Sequence, residues 1–383
     1  MSEQKEKGKD YYKIKDHQLY VTRFGVLLKI FRENKYHRSN RGKVFKIFMF
    51  SFLLQPFIWL QKLIFGYGLS RVDFKKEKAP IIILGHWRSG TTHLHSLIYQ
   101  DPKLGTLNYY MNFLINVCLL GWGWLPGLLK RFMPKKRPMD NMKIDLYSPQ
   151  EEEPALTNMT SHAAIHGMFF PENRSYFEKY QLFKGISAKE KKKWAKSYDE
   201  IMRMIAYTNK GKRVLTKNPF NTSRVKELLE IYPDAKFIYI HRDPYDVYRS
   251  TQKLYTTSIE TQVLSELTPE MRENMIMDNY RLILQKYLDE RHLIPEGNLV
   301  EISFDELTAD WNKTISRVYS SLGLPGFQEA LPHFEKYMES VKGYKKNVFK
   351  PLPKETMLRI EKEWGFSFKE WGYEIRVGED ETA

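Results

Sequence analysis

The sequence has almost no cysteine: Cys118 stands alone among 383 residues. That excludes an intrachain disulfide framework and any cysteine-rich zinc or iron–sulfur centre. Internal repeats and low-complexity tracts are lacking as well, and with 42% hydrophobic and 28% charged residues the chain is neither collagenous nor wholly disordered. No uninterrupted apolar run reaches the roughly twenty residues of a spanning helix. Nor does an apolar core with a small-residue cleavage site stand near residue 1, so no secretory signal is expected. At about 150 residues per domain, the length allows two to three domains or one elaborated α/β domain.

Acids are scarce in one place. The first eighty residues carry 18 Lys and Arg against 7 Asp and Glu, so eleven of the chain's net +15 charges lie there. A positive excess calls for an anionic partner: nucleic acid, a membrane surface or a phosphorylated small molecule. Between Tyr20 and Arg71 the only acid is Glu33, while Arg23, Lys29, Arg32, Lys35, Arg41, Lys43 and Lys46 alternate with apolar residues. Residues 47–60 follow without a charge, rich in Phe, Leu and Ile, interrupted by Gln55 and Pro56 and bracketed by Lys46 and Lys62. A basic amphipathic segment running into a short aromatic stretch fits a peripheral membrane anchor; a buried helix with a solvated basic flank fits it equally. Residues 1–77 are read as a basic, helical N-terminal extension, 78–377 as the main domain and 378–383 as a frayed tail.

Beyond Lys78-Ala79-Pro80 the pattern turns to apolar strands alternating with helical stretches. Residues 81–84, 213–216, 236–240 and 298–303 read as strands, and 92–100, 222–232, 245–255 and 305–322 as helices. A continuous apolar run such as Ile81-Ile82-Ile83-Leu84 suits a strand covered on both faces. The alternation predicts an α/β fold with a central parallel sheet flanked by helices, residues 101–212 forming a long helical insertion. Ligands of such sheets gather at the carboxyl ends of the strands, here the loops 85–91, 217–221 and 241–244.

Two of those loops carry chemistry. Gly85-His86-Trp87-Arg88-Ser89-Gly90-Thr91-Thr92 joins the first strand to its helix, where backbone amides and the positive end of the helix dipole suit a phosphate. The spacing is that of a nucleotide P-loop, but Thr91 stands where an NTPase has its lysine, and Arg88 supplies the cation instead. A tight turn with Gly90 at positive φ would explain the glycine by itself. In Ile240-His241-Arg242-Asp243-Pro244-Tyr245-Asp246-Val247-Tyr248-Arg249-Ser250, Arg242 and Ser250 lie about two helical turns apart and suit a second, separate anion site. The plainer reading pairs Arg242 with Asp243.

Together the two loops resemble those of the sulfotransferase superfamily, and further segments resemble its mainly bacterial branch. These are Arg137-Pro138-Met139-Asp140-Asn141-Met142, Ser148-Pro149-Gln150-Glu151-Glu152-Glu153, Leu215-Thr216-Lys217-Asn218-Pro219, Tyr232-Pro233-Asp234-Ala235-Lys236-Phe237 and Glu370-Trp371-Gly372-Tyr373, in consistent order over about residues 78–375. The resemblance implies a P-loop-NTPase-like fold and metal-free transfer of the sulfuryl group of 3′-phosphoadenosine-5′-phosphosulfate (PAPS) to an acceptor hydroxyl. Arg88, Ser89, Gly90, Thr91 and Thr92 would then hold the 5′-phosphosulfate, and Arg242 and Ser250 the 3′-phosphate. Superfamily members more often have Lys where Arg88 stands; an arginine would act as a charged clamp and not as a proton donor.

The general base implied by the resemblance is one of Glu151, Glu152 and Glu153, although three consecutive carboxylates also suit a solvated helix start. Histidine is the alternative: His162 and His166, spaced as on one helical face, or the cluster His86, His93 and His95. A metal held by His162 and His166 would lack an evident third ligand. Lys217, at a strand end, is expected to neutralise the sulfate, and residues 342–347 loosely fit a basic lid. The aromatic stretch 113–125, with Lys130, Arg131, Lys135, Lys136 and Arg137 after it, favours a lipophilic acceptor such as a sterol, a lipid or a hydrophobic small molecule. The competing function is a membrane-associated phosphoryl-transfer enzyme using the same loops, disfavoured by Thr91. Nucleic acid is not an expected partner, since a basic patch for that purpose needs neither loop. The expected location is cytoplasmic, peripheral at the inner face of the membrane.

Overall fold

The computed structural model describes residues 17–74, 78–121, 123, 126, 127, 130, 145–343, 349 and 351–377. The chain divides into two units: one within residues 1–72, 107–208 and 253–271, the other within residues 73–106, 209–252 and 272–383.

The second unit holds the sheet. Its strands are β1 (Ile81–Leu84), β2 (Leu104–Gly105), β3 (Arg213–Lys217), β4 (Lys236–His241) and β5 (Leu299–Ser303). They pair in the order β2-β3-β1-β4-β5, all parallel. Ile83 lies opposite Lys217 on one side and Ile238 on the other, so β1, β3 and β4 end close together. On one sheet face Ile81, Ile83, Leu215, Ile238 and Ile240 pack with Leu94, Leu97 and Ile98 of the helix Thr91–Ile98 and with Ile315 and Val318 of the helix Trp311–Ser321. Full burial of each such side chain is worth about 1.5–3 kcal/mol. On the other face Tyr239 stacks at 4.0 Å on Tyr287 of the helix Pro269–Glu290. Cover on both faces explains why β1 is apolar at every position.

Two expectations change here. β2 was not foreseen, because two residues carry no periodicity. It is held by close backbone approach: a Cβ on Gly105 would lie 2.4 Å from the Asn209 Cβ, and Asn209 Nδ2 donates to the Thr106 carbonyl at 3.3 Å. Residues 305–322 are two helices and not one, Phe304–Ala309 and Trp311–Ser321. Ser303 and Glu306 form a capping box at the start of the first. Asp310 leaves helical geometry at φ −146° and accepts from Lys313 N at 3.0 Å, capping the second.

The first unit is helical. The uncharged run 47–60 is the middle of one helix, Arg41–Ser70, which continues for 30 residues through Pro56. At 1.5 Å per residue that is about 45 Å, so the segment is not the short piece its composition suggests. The helix Phe24–Glu33 packs on it through the ring pairs Phe24–Phe48, Phe24–Phe52 and Phe31–Phe48. Polar side chains fasten it lengthwise: Ser51 Oγ donates to the Thr22 carbonyl at 2.6 Å, Gln61 Nε2 to the Ile115 carbonyl at 3.0 Å, and Leu119 N to Gln61 Oε1 at 2.7 Å. The described part of the stretch 113–125 is largely core: Leu114, Ile115, Val117 and Cys118 are buried. Burial pushes the Cys118 thiol up to about 12, which makes it inert. Trp122, Trp124, Leu125, Arg131, Lys135, Lys136, the motif 137–142, residues 344–347 of the expected lid and the tail 378–383 lie outside the described residues.

Candidate active site

The P-loop-like turn is built on two glycines whose backbone angles and surroundings leave no unstrained room for a Cβ. Gly85 leaves β1 at φ +140°, and a Cβ there would lie 2.5 Å from the Ile240 carbonyl oxygen. Gly90 precedes the helix Thr91–Ile98 at φ +101°, and its Cβ would lie 2.3 Å from Phe304 Cδ2. Between them the chain doubles back: Ser89 N and Oγ both donate to the His86 carbonyl, at 3.3 and 2.7 Å. Gly85 N donates to Thr222 Oγ1 at 2.8 Å, tying the loop to the turn after β3. Arg88 sits at the tip with φ +72°, a left-handed conformation uncommon outside glycine.

Arg88 joins the loop after β1 to the one after β4. Its Nε donates to Ser250 Oγ at 2.7 Å, and its carbonyl accepts from Arg242 Nη1 at 3.4 Å. The two loops, expected to serve separate sites, are thus hydrogen-bonded to each other. Ser250 reaches this position from the helix Pro244–Leu254, which follows β4 directly. Lys217, buried at the end of β3, donates to Thr92 Oγ1 at 3.4 Å, so the strand-end lysine does meet the first loop. Arg88, Ser89, Gly90, Thr91, Thr92, Lys217, Arg242 and Ser250 all belong to the second unit.

The alternative in which Arg242 pairs with Asp243 is not what forms. Arg242 Nη2 donates to Asp246 Oδ2 at 2.9 Å, and Arg249 Nη2 to Asp246 Oδ1 at 2.6 Å. Burial disfavours the Asp246 charge, but Arg242 and Arg249 outweigh it and hold the carboxyl below its usual range. Asp243 instead caps the next helix, accepting from Tyr245 N at 2.8 Å, and pairs with Arg376 at 2.6 Å. The Arg242 guanidinium also lies 4.7 Å over the Phe304 ring.

Two histidines at the first loop, His86 and His95, are poor bases. Burial lowers His86 to about 3, with its Nδ1 against the Trp87 carbonyl at 2.9 Å. His95 is held well below its usual range by burial and then by the Lys217 charge, and its Nε2 meets Thr106 Oγ1 at 2.9 Å.

The acidic run lies in the first unit. Glu151 is the N-cap position of the helix Glu152–Met159, and Glu152 and Glu153 are fully buried in its first turn, where the helix dipole favours a carboxylate. Glu153 Oε1 accepts from Ala164 N at 3.0 Å. A solvated helix start is therefore excluded for Glu152 and Glu153. His162 and His166 do not share a helical face, because the helix ends at Thr160, whose φ of −146° is extended, and the next one begins only at His166. Burial lowers both to about 4. Among the described residues no three His, Cys, Asp or Glu converge as a metal site would require.

Residues 80–329 match the profile described as the sulfotransferase family. The chain belongs to the sulfotransferase family. The omega-hydroxy-beta-dihydromenaquinone-9 sulfotransferase Stf3 of Mycobacterium bovis (strain ATCC BAA-935 / AF2122/97) is 29% identical over 327 residues, 84% of this chain and 81% of that protein. Its counterpart in Mycobacterium tuberculosis (strain CDC 1551 / Oshkosh) gives the same figures. Among solved structures, sulfotransferase STF9 from Mycobacterium avium superposes with a TM-score of 0.63 at 17% identity, covering 91% of this chain and 97% of that one. Sulfotransferase STF1 from Mycobacterium tuberculosis H37Rv gives 0.59 at 18% identity, covering 82% and 85%. The sulfotransferase fold, with its P-loop-like architecture, is thereby shared.

Within this sulfotransferase, sequence reasoning missed Asp246 and Arg249 as partners of Arg242, Thr222 as the acceptor for Gly85, and Phe304 under Arg242. A signal existed for the first two. Asp246 lies four residues after Arg242 and three before Arg249, the spacings at which helical side chains meet. Thr222 and Phe304 come from other strands' loops, and no local pattern announces them.

Proposed function

We propose that the enzyme transfers a sulfuryl group from PAPS to a hydroxyl of a lipophilic acceptor. The observation that carries this reading is the junction of a lysine-less P-loop with an Arg…Ser element, Arg88 Nε to Ser250 Oγ at 2.7 Å. Such a junction suits a nucleotide phosphorylated at both its 5′ and 3′ positions, and it fits poorly with ATP. Such a donor supplies an activated sulfuryl group on a phosphate leaving group. The chain's residues orient and neutralise it: Arg88, Ser89, Gly90, Thr91 and Thr92 hold the 5′ end, Arg242 and Ser250 the 3′-phosphate, and Lys217 the sulfate. As the bond from sulfur to the bridging oxygen breaks and that from sulfur to the acceptor oxygen forms, Arg88 balances the charge that grows on the leaving phosphate. The acceptor's proton goes to a carboxylate of Glu151, Glu152 or Glu153; the lowered histidines are weaker candidates. Likeness to a sulfotransferase named for a hydroxylated dihydromenaquinone supports a prenylated quinone or similar lipid alcohol as the acceptor class.

Thermal unfolding with 3′-phosphoadenosine-5′-phosphate and with ATP tests the donor. Stabilisation by the former alone is expected; stabilisation by ATP alone would replace the sulfotransferase reading of this site with a phosphoryl-transfer one. Incubation with labelled donor and separate lipid and polar extracts tests the acceptor, with label expected in the lipid fraction.

A further inference from the structure

The first unit leaves a large apolar surface open. On the helix Arg41–Ser70 the inward stripe is Val44, Ile47, Ser51, Ile58 and Gln61. At 100° per residue Phe45, Leu53, Leu60, Leu63 and Tyr67 fall within about 80° of one another on the opposite side. They are exposed, Phe45 at 68% and Leu63 at 81%, and Trp59 beside them at 69%. A continuous row of large apolar side chains of this length is rare on a surface meant for water alone.

The helix is long and apolar enough to cross a membrane. Its fastenings say otherwise. Ser51 and Gln61, about 15 Å apart along the axis, are both hydrogen-bonded to backbone carbonyls of the unit. A spanning orientation would break these bonds and strip the buried stripe. A helix held lengthwise with one apolar side outward is built to lie in a plane.

Charge identifies the plane. From Tyr20 to Arg71 there are ten Lys and Arg against Glu33 alone. Arg32, Lys35, Arg38 and Arg41 are exposed before the apolar row, Lys46 beside its first residue, and Lys62 and Arg71 towards its end, with the Arg71 guanidinium 4.4 Å over the Tyr67 ring. A second copy of the chain would also cover the apolar row, but pairing two such faces would bring two basic sets together with almost no acid between them. A phosphate-rich lipid surface meets both demands: acyl chains for the row, anionic headgroups for the cations.

We propose that this face is a monotopic docking surface for an anionic bilayer, on which the helix lies flat with its apolar side below the headgroups. The proposal needs no sulfuryl donor and stands or falls independently of the transfer reaction. Co-sedimentation of the full chain with phosphatidylcholine vesicles, with and without phosphatidylglycerol, tests it. Binding at least about tenfold tighter to the anionic vesicles, weakening as salt is raised, is expected. The triple variant Phe45→Ser, Leu53→Ser, Leu63→Ser should lose about tenfold or more in binding, with its circular dichroism and urea midpoint unchanged. Lys46→Glu with Lys62→Glu should erase the preference for anionic lipid. The proposal is overturned if the wild type ignores both vesicles, or if neither variant changes binding. It is equally overturned by resistance to alkaline extraction, which would mean a span, or by a lipid-free dimer that the triple variant dissociates, which would mean a second copy.

Discussion

Arg88 holds a left-handed φ of 72°, a conformation that costs a non-glycine residue on the order of 1–3 kcal/mol when its surroundings impose it. Here the surroundings do: Ser250 takes its Nε and Arg242 its carbonyl. Arg88→Ala is expected to lower kcat about 100- to 1000-fold at saturating donor, the usual loss when a charge-stabilising group is removed. Arg88→Lys keeps the charge without the planar fork and should fall between. A near-native transfer rate in Arg88→Ala would take Arg88 out of the mechanism. The residues themselves were legible in the sequence, since Arg88, Arg242 and Ser250 stand in recognisable motifs. Their partners were not. Whether Arg242 meets Asp243 or Asp246 depends on where the helix after β4 starts, and Asp243 is consumed in capping it.

At the scale of elements, the loop after β1 depends on space as much as on charge. Gly90→Ala must fit a Cβ 2.3 Å from Phe304 Cδ2 at φ +101°, and Gly85→Ala one 2.5 Å from a backbone oxygen. Each should destabilise by about 2 kcal/mol or more and abolish the stabilisation given by 3′-phosphoadenosine-5′-phosphate. Urea unfolding with and without that nucleotide measures both, and a wild-type response in Gly90→Ala would show that the turn is not the anion cradle. β1 and β4 could be read from their apolar runs because burial on both faces leaves no room for polar alternation, whereas β5, with Glu301 and Ser303 half-buried, shows only an alternating apolar pattern. β2 could not, being two residues held by Asn209. The extent of the helix Arg41–Ser70 was not legible, because Lys46 and Lys62 bracket the uncharged run and Pro56 is a residue that normally breaks a helix. Here it stands on the exposed side, within a helix held to the unit by its inward stripe.

For the whole molecule, the division into units of three sequence stretches each was invisible beforehand, since it is a property of contacts and not of composition. One response of the whole to its medium can be stated. His17, His86 and His166 are lowered by burial to about 3, 3 and 4. Between the ordinary value near 6.5 and those values the unfolded chain binds protons that the native chain refuses, so stability rises with pH there and falls on acidification. Each should contribute about 1.4 kcal/mol per pH unit. The urea midpoint is expected to drop from about pH 6.5 to about pH 4.5 and to level off above neutrality as far as these groups govern it; a flat acid limb would mean that these histidines are solvated. The strand order also has a consequence in time. Every strand pair in the sheet involves β3 or a strand after it. Between Leu84 and Arg213 lie residues 85–212, that is 212 − 84 = 128 residues. At about 5–20 residues per second of synthesis, β1 emerges roughly 6–26 s before its first partner exists. During that interval a strand of four apolar residues has both edges open, so the nascent chain, more than the finished enzyme, is the state that needs chaperone protection.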